Sequence, residues 1–324
     1  MNGICTMGND RVYDQVVALL NSIEVVLGPE TPVCVYPFDE QTEGIAAEIA
    51  KRANVILYDD QESIQRWDQF MQGARPDKMN RRKFGLYGAH RRFCAFDGPF
   101  DKFIYLDADT LVMNSLNFVF NKLDEYDCVV YDFQFKDPKY VYDINSPKLL
   151  EVFAPQRIHD EIFCSGFYAS KRGMFTQEQR DWLIGNLQAG ESAVFKPGGH
   201  DQPVINYMFM RSGYSIYNFA HHLPTSEQTG CCVTSAHFEE RDRILYDRGT
   251  RLTYLHYIGI PSSVPAAACA GENIAFPYRD IFLYYRYLHE PEKRPVFTTP
   301  GKPYNYKPPS SFFQKVLRKL KLMH

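Results

Sequence analysis

Short apolar runs alternate along the first part of the chain with longer stretches in which apolar residues recur at helical spacing. Residues 4–6, 32–37 and 54–58 show the first pattern, and residues 12–23 and 44–52 show the second. These patterns predict strands and helices, respectively. Strands that alternate with amphipathic helices favour an α/β fold with a mostly parallel sheet covered on both faces. In such sheets, ligands bind beyond the carboxyl ends of the strands.

The alternation continues less regularly to about residue 260. Further strands are predicted at 102–106, 128–132, 162–170 and 252–260, and helices at 81–96, 177–187 and 201–210. The segment 61–80 is polar but carries Trp67, Phe70 and Met71. This mixture predicts a loop or a lid with an apolar underside.

The end of the chain has a different composition. Residues 291–309 are dense in proline and tyrosine, which predicts an extended linker or a wrapping tail. Residues 312–324 form a basic amphipathic pattern, which is typical of a helix on an anionic membrane surface. Such a helix could equally pack on its own protein or on a second copy in a homo-oligomer. We therefore predict a domain over 1–290 and an extension over 291–324, with peripheral membrane contact as one role of the extension.

Composition excludes several classes of protein. The chain has 324 residues, of which 45% are hydrophobic and 23% charged, as in an ordinary globular protein with a large core. Its net charge of -3 argues against nucleic acid as a partner. Neither a signal peptide nor a membrane-spanning run is predicted, and the eight cysteines fit buried thiols in a reducing compartment. We expect a cytoplasmic location, at the inner face of the membrane if the extension binds there.

Two aspartates separated by one residue follow an apolar strand. Asp107 and Asp109 stand in the run FIYLDADTLV. On an extended chain their carboxylates share one face and repel each other. A hard divalent cation such as Mg²⁺ or Mn²⁺ relieves this repulsion and accepts phosphate oxygens as further ligands. The pattern favours a metal that holds a diphosphate, and its structural alternative is a solvated turn.

The run FIYLDADTLV resembles the strand and DxD motif of GT-A glycosyltransferases, and the order of the other motifs is similar to family 8, the glycogenin and galactosyltransferase group. The likeness spans about residues 3–260. It implies a GT-A fold and a hexosyltransferase activity, and the pattern of residues 312–324 adds a C-terminal helical extension to that fold. It further implies Mn²⁺ or Mg²⁺, a nucleotide sugar as donor with UDP as the expected nucleotide, and retention of the anomeric configuration. The acceptor could be a glycan, a lipid-linked sugar or a protein.

The resemblance also implies the metal ligands. They are Asp107, Asp109 and a late histidine, His256, in the run LHYIG that ends at Gly259. An imidazole among oxygen ligands suits Mn²⁺ better than Mg²⁺. The family continues with a Lys-Pro pair where this chain has Ile260-Pro261, so the diphosphate contact of that lysine is not carried over.

The remaining site residues are matched to the family motif by motif. Arg91 is preferred over Arg92 on spacing as the basic residue that faces the donor, and Asp201 and Gln202 match the family's Asp-Gln pair on the sugar side. The predicted catalytic residues are thus Asp201, Gln202 and Arg91. The predicted donor-binding residues are Thr6, Asn9, Tyr13, Arg91, Asp107, Ala108, Asp109, Ser165, Gly166 and Gly259.

Two other functions fit parts of the sequence. The residues from Asp107 to Leu111 also resemble the DxDx(T/V) loop of haloacid-dehalogenase-type phosphatases, in which the first aspartate is the nucleophile. That motif normally opens its domain, whereas here about a hundred residues precede it. The other alternative is a protein that binds a nucleotide sugar without transferring it. Each candidate residue also has a structural alternative when it is considered alone. His256 fits a buried histidine in a strand, Asp201 fits a helix N-cap, and Arg91 fits the solvated basic face of a helix.

Overall fold

The computed structural model of the protein describes residues 1–79, 88–132 and 137–305. The strands are β1 Asn2–Gly8, β2 Val33–Pro37, β3 Val55–Leu57, β4 Lys102–Leu106, β5 Thr110–Val112, β6 Cys128–Val130, β7 Phe167–Lys171, β8 Ile216–Asn218, β9 Glu239–Arg241, β10 Ile244–Asp247, β11 Thr250–Arg251, β12 Tyr254–His256, β13 Ile274–Ala275 and β14 Lys302–Pro303. The α-helices are α1 Tyr13–Leu27, α2 Glu43–Ile49, α3 Gln61–Ala74, α4 Asn117–Lys122, α5 Lys148–Val152, α6 Pro155–Asp160, α7 Gln177–Gln188, α8 Asp201–Arg211, α9 Phe219–His222, α10 Ser263–Cys269 and α11 Arg279–Arg286.

Seven strands form the central sheet, in the order β3-β2-β1-β4-β7-β6-β8. The pairs β1–β2, β2–β3, β1–β4 and β6–β8 are parallel, and β7 runs antiparallel between β4 and β6. Successive residues of β4 point to opposite faces, and both faces are buried: Tyr105 packs into one apolar cluster and Ile104 into another. The predicted α/β fold with a mostly parallel, doubly covered sheet is confirmed.

The polar segment after β3 is a helix, so the prediction of a loop or lid was wrong. Asp60 caps α3, since its carboxylate accepts a hydrogen bond from the Ser63 backbone N–H at 3.0 Å. Trp67, Phe70 and Met71 are spaced by three and four residues, lie on one face of the helix and are buried. The overall polarity of the segment concealed a helical spacing of its few apolar residues.

Several other boundaries differ from the prediction. Residues Ala89–Phe96 form a 3-10 helix, and residues 81–87 of the predicted helix lie outside the described residues. The strand predicted at 162–170 begins only at Phe167, and the strand predicted at 252–260 is limited to Tyr254–His256.

The extension is described only to residue 305. It contains a 3-10 helix at Pro291–Lys293 and β14, which pairs with β13. The predicted basic helix over 312–324 lies outside the described residues, so its role stays a prediction. Within the described ranges, no helix combines the length and hydrophobicity needed to cross a membrane. All eight cysteines are free, and six of them are buried, as expected for structural thiols.

Candidate active site

The two aspartates of the DxD run lie in a turn directly after β4. The Asp107 backbone N–H donates to the Gly166 carbonyl at 2.9 Å, which ties the turn to the start of β7. The Asp107 carbonyl accepts hydrogen bonds from the Thr110 N–H at 3.1 Å and from the Thr110 hydroxyl at 2.7 Å. The backbone of the turn is therefore held by these hydrogen bonds, which do not use the aspartate carboxylates.

A second pair of strands brings His256 to this turn. Strand β12 pairs antiparallel with β5, with His256 opposite Thr110, and the Tyr257 N–H donates to the Asp109 carbonyl at 2.8 Å. As a result, His256 Nε2 lies 3.2 Å from Asp109 Oδ1. One ligand atom each from Asp107, Asp109 and His256 all lie within 4.8 Å of one another. The structure thus brings together the three residues that the resemblance implied as metal ligands.

The electrostatics of this triad favour a cation. Burial raises the pKa of Asp107; Arg92 opposes this effect and the charge of Asp109 adds to it. Burial also acts to raise the pKa of Asp109, but the charge and hydrogen bond of the nearby His256 outweigh burial, so the pKa of Asp109 is lowered. For His256, burial acts to lower the pKa, and the charges of Asp109 and Asp107 raise it overall. Two carboxylates and an imidazole form a donor set that fits Mn²⁺ or Mg²⁺.

Gly166 closes the triad from the side of β7. A Cβ at this position would lie 2.5 Å from His256 Cε1 and 2.9 Å from Asp107 Oδ2. Only a residue without a side chain lets the β7 backbone approach both ligands this closely. Gly166, predicted to bind the donor, is therefore packed against two of the predicted metal ligands.

Arg92, and not the preferred Arg91, lies against the acidic residues. Its guanidinium pairs with Asp107 at 3.1 Å and with Asp201 at 2.8 Å, and it lies over the Tyr105 ring at 4.9 Å. Arg91 turns away and pairs with Asp68 on α3 at 3.2 Å. In a 3-10 helix, successive side chains are rotated by about 120°, so neighbouring arginines face different partners. We therefore replace Arg91 by Arg92 as the candidate for the charged group at the donor.

The two arginines give a matched pair of variants. We expect Arg92→Lys to lower sugar-transfer turnover by about tenfold or more, because a lysine cannot bridge Asp107 and Asp201 with a planar guanidinium. Arg91→Lys should leave turnover within about twofold. Steady-state kinetics of both variants at saturating donor check this, and equal losses in the two would contradict the assignment.

Asp68 and its partners make a structural contribution that depends on pH. Burial acts to raise the pKa of Asp68, but hydrogen bonds from His90 and Arg91 outweigh it and lower the pKa to about 2. A depressed pKa stabilises the fold above the unfolded value near 3.9, and this contribution is lost as the pH falls toward 2. We expect Asp68→Asn to cost about 2 kcal/mol of unfolding free energy at pH 7, and progressively less below pH 4. Urea unfolding of both proteins across pH checks this, and a cost independent of pH would contradict it.

The segment between α6 and β7 is held by side chains rather than by strand pairing. The Asn206 side chain accepts from the Phe163 N–H and donates to the Phe163 carbonyl, both at 2.9 Å. Asp132 accepts from the Cys164 N–H at 2.7 Å, and Gln202 Oε1 accepts from the Ser165 N–H at 3.3 Å. Arg92 donates to the Ser165 carbonyl at 2.7 Å. Gln202 and Arg92 thus both bind the backbone of Ser165, and Arg92 also pairs with Asp107 of the triad.

Asp201 is the first residue of α8 and not its N-cap, which is His200. Its carboxylate faces Arg92, and the His200 ring Nδ1 lies 3.6 Å from Asp201 Oδ1. Burial acts to raise the pKa of Asp201, but Arg92 in particular lowers it, to about 2. An ionised carboxylate at this point can accept hydrogen bonds from sugar hydroxyls.

A cleft of about 360 Å³ opens in front of the aspartates. Of the predicted donor-binding residues it includes Asn9, Ala108 and the two aspartates. It is lined by Met7, Gly8, Asn9, Arg11, Val12, Gln15, Phe38, Asp107, Ala108, Asp109, Ile260 and Ser262. The lining comes from the ends of β1 and β4 and from the chain after β12, as expected for a ligand site at the carboxyl ends of strands.

Six of the ten predicted donor-binding residues do not line this cleft: Thr6, Tyr13, Arg91, Ser165, Gly166 and Gly259. Thr6 is fully buried within β1. The Tyr13 hydroxyl points to Glu48 on α2, at 3.4 Å from its carboxylate. Gly259 has a φ of +82°, a left-handed conformation that lets the chain turn after β12 toward the lining residues Ile260 and Ser262.

Sequence reasoning missed several lining residues and Asp132. Phe38, Gln15 and Arg11 reach the cleft from loops and a helix start near β1 and β2. Asp132 is the second residue after β6, so a carboxylate near a strand end was the available signal. A larger cavity of about 530 Å³ between α1, α2 and α11 contains none of the site residues, and its Arg52 and Arg286 are each paired with acids.

Comparison with known proteins supports this picture of the fold. No model of a known protein family matches the chain. Lipopolysaccharide 1,2-glucosyltransferase of Escherichia coli is 25% identical over 217 residues, which are 63% of this chain and 56% of the relative. The chain thus matches little more than half of that relative's length.

Solved glycosyltransferase structures share the fold. The galactosyltransferase LgtC, solved in complex with donor and acceptor sugar analogs, matches 80% of this chain and 87% of its own, with a TM-score of 0.52 and 16% identity. The bifunctional glycosyltransferase WbbM matches 90% of this chain and 51% of its own, with a TM-score of 0.52 and 12% identity. These similarities confirm the predicted resemblance to GT-A glycosyltransferases of the family 8 type. They give no support to a haloacid-dehalogenase fold.

Proposed function

We propose that the protein transfers a sugar from a nucleotide diphosphate sugar to a carbohydrate acceptor, with a divalent metal held by Asp107, Asp109 and His256. The observation that carries this proposal is the packing of these three residues at the edge of the cleft, with Arg92 beside them. The glycosyltransferases with the same fold support sugar transfer. UDP as the nucleotide and Mn²⁺ as the ion follow from the family resemblance and the mixed oxygen and nitrogen donor set.

The bound ion would neutralise the diphosphate as the sugar leaves. The chain's own groups complete this task. Arg92 places a buried guanidinium between Asp107 and Asp201, where it stabilises negative charge without moving a proton. Tyr105 donates to Asp107 at 3.3 Å and holds that carboxylate in place. Gly166 leaves room for His256 to reach the triad.

Asp201 and Gln202 are proposed to contact the sugar. Asp201 is held ionised by Arg92, and the Gln202 amide links Ser165 to Tyr140. One solved LgtC structure is an active-site mutant in which a glutamine is replaced by glutamate. That glutamine supports, by analogy, a role for Gln202 in positioning donor or acceptor. The family resemblance further supports transfer with retention.

The experiment that tests this function follows the fate of the donor by proton NMR. The protein is incubated with UDP-glucose or UDP-galactose and Mn²⁺, with and without an oligosaccharide from lipopolysaccharide core. Release of UDP with a new α-glycosidic signal is expected, and a β-anomeric product would overturn retention. Tight UDP binding without any sugar release would favour the protein that only binds a nucleotide sugar.

A further inference from the structure

Tyr140 is an exposed tyrosine whose backbone is hydrogen-bonded to Gln202 of the proposed sugar site. Gln202 Nε2 donates to the Tyr140 backbone carbonyl at 3.2 Å, and the tyrosine is 47% exposed. The neighbouring backbone is fixed, because Tyr142 pairs with Phe195 in a β-bridge and the Asp143 N–H donates to the Val194 carbonyl at 2.9 Å. The ring is thus presented to solvent from a tethered segment next to α8.

Two lysines flank this ring. Lys139 Nζ lies 5.3 Å and Lys196 Nζ 5.6 Å from the Tyr140 ring centroid. Lys139 is compensated by Asp137, whose carboxylate lies 2.5 Å from Lys139 Nζ. No ion pair joins Lys196 to an acidic side chain of the described residues. One uncompensated positive charge therefore stands over an exposed aromatic ring beside Gln202.

We propose that Tyr140 and Lys196 form an acceptor subsite for a carbohydrate that carries an anionic substituent, a phosphate or a carboxylate. This inference rests on the proposed function, because an acceptor is needed next to Gln202 only if sugar is transferred there. The apolar face of a sugar ring packs on the aromatic ring, and the Lys196 ammonium pairs with the anionic group.

The donor does not account for this charge. Its diphosphate is assigned to the triad of Asp107, Asp109 and His256, while Lys196 lies near Tyr140, which is joined to Gln202 on the sugar side. Gln202 Oε1 accepts from Ser165 near the triad, and its Nε2 donates to Tyr140 on the other side. The amide therefore lies between the proposed donor site and the proposed acceptor subsite. The anionic group on Lys196 therefore belongs to the acceptor.

The test is calorimetric binding of one lipopolysaccharide core oligosaccharide in two forms, phosphorylated and dephosphorylated, to the full chain. The variants are Lys196→Gln, Tyr140→Ala and the control Lys122→Gln. Lys122 also lies over tyrosine rings, 4.7 Å from Tyr217 and 5.4 Å from Tyr126, but on α4. Binding of UDP with Mn²⁺ to each protein is measured separately and reports on the donor site.

We expect the wild type and Lys122→Gln to bind the phosphorylated form about fivefold or more tightly than the other form. Lys196→Gln should lose this preference while UDP binding stays unchanged, and Tyr140→Ala should weaken both forms. A preference that survives in Lys196→Gln, a wild type without preference, or a wild type that binds neither form would overturn the inference. If the wild type does not bind UDP with Mn²⁺, the proposed function is overturned instead. The two failures are distinguishable because the oligosaccharide is titrated without the donor.

Discussion

Asp109→Ala is expected to lower sugar-transfer turnover by about a hundredfold or more and to abolish donor binding that depends on Mn²⁺. The substitution removes one of two carboxylates from a triad whose ligand atoms lie within 4.8 Å of one another. It leaves the fold intact, because the side chain is about a quarter exposed and the backbone carbonyl that accepts from the Tyr257 N–H is retained.

The matched control for this variant is Asp59→Ala. Asp59 also follows a strand of the central sheet, β3, and it is exposed and outside the cleft. Turnover by coupled UDP release and thermal unfolding with and without Mn²⁺ are measured for both variants. The metal assignment fails if Asp109→Ala keeps wild-type turnover and a wild-type response to Mn²⁺, or if Asp59→Ala shows the same losses.

Gly166→Ala is expected to have an effect of similar size without removing any ligand. The added methyl group would lie 2.5 Å from His256 Cε1 and 2.9 Å from Asp107 Oδ2, closer than packed atoms approach. Both ligands must shift, so we expect Mn²⁺ affinity to fall by about 10- to 100-fold and turnover to fall with it. Overpacking also costs about 1–3 kcal/mol of unfolding free energy.

Gly185→Ala is the control for a glycine substitution. Gly185 lies in α7 with nothing within 4 Å of an added Cβ, so alanine should stabilise the protein by about 0.5–1 kcal/mol. Calorimetric titration with Mn²⁺ in the presence of UDP separates lost affinity from lost stability. Wild-type Mn²⁺ affinity in Gly166→Ala would contradict the close approach of β7 to the triad.

Local patterns were enough to predict the sheet and the DxD turn. A buried apolar strand followed by two aspartates is visible within ten residues, and the alternation of strands and helices fixes the fold class. The meeting of His256 with Asp109 depends instead on pairing between β5 and β12, which are far apart in sequence. Periodicity carries no information about such pairing, and only the order of family motifs pointed to it.

The choice between neighbouring arginines shows a second limit. Arg91 and Arg92 stand in a 3-10 helix, and one residue decides whether a guanidinium meets Asp68 or the pair Asp107 and Asp201. The preference for Arg91 rested on its spacing in the sequence, which does not show which way either side chain points. Likewise, α3 was missed because only a few of its residues are apolar, although their spacing is helical.

The central claim is that the triad holds a divalent metal on a nucleoside diphosphate. It is tested most directly by isothermal titration of the full chain with UDP, once with Mn²⁺ and once with EDTA, with GDP as the comparison. The account predicts binding of UDP with Mn²⁺, at least about tenfold weaker binding in EDTA, and no metal-dependent binding in Asp109→Ala. UDP affinity that is the same with Mn²⁺ and with EDTA would contradict it.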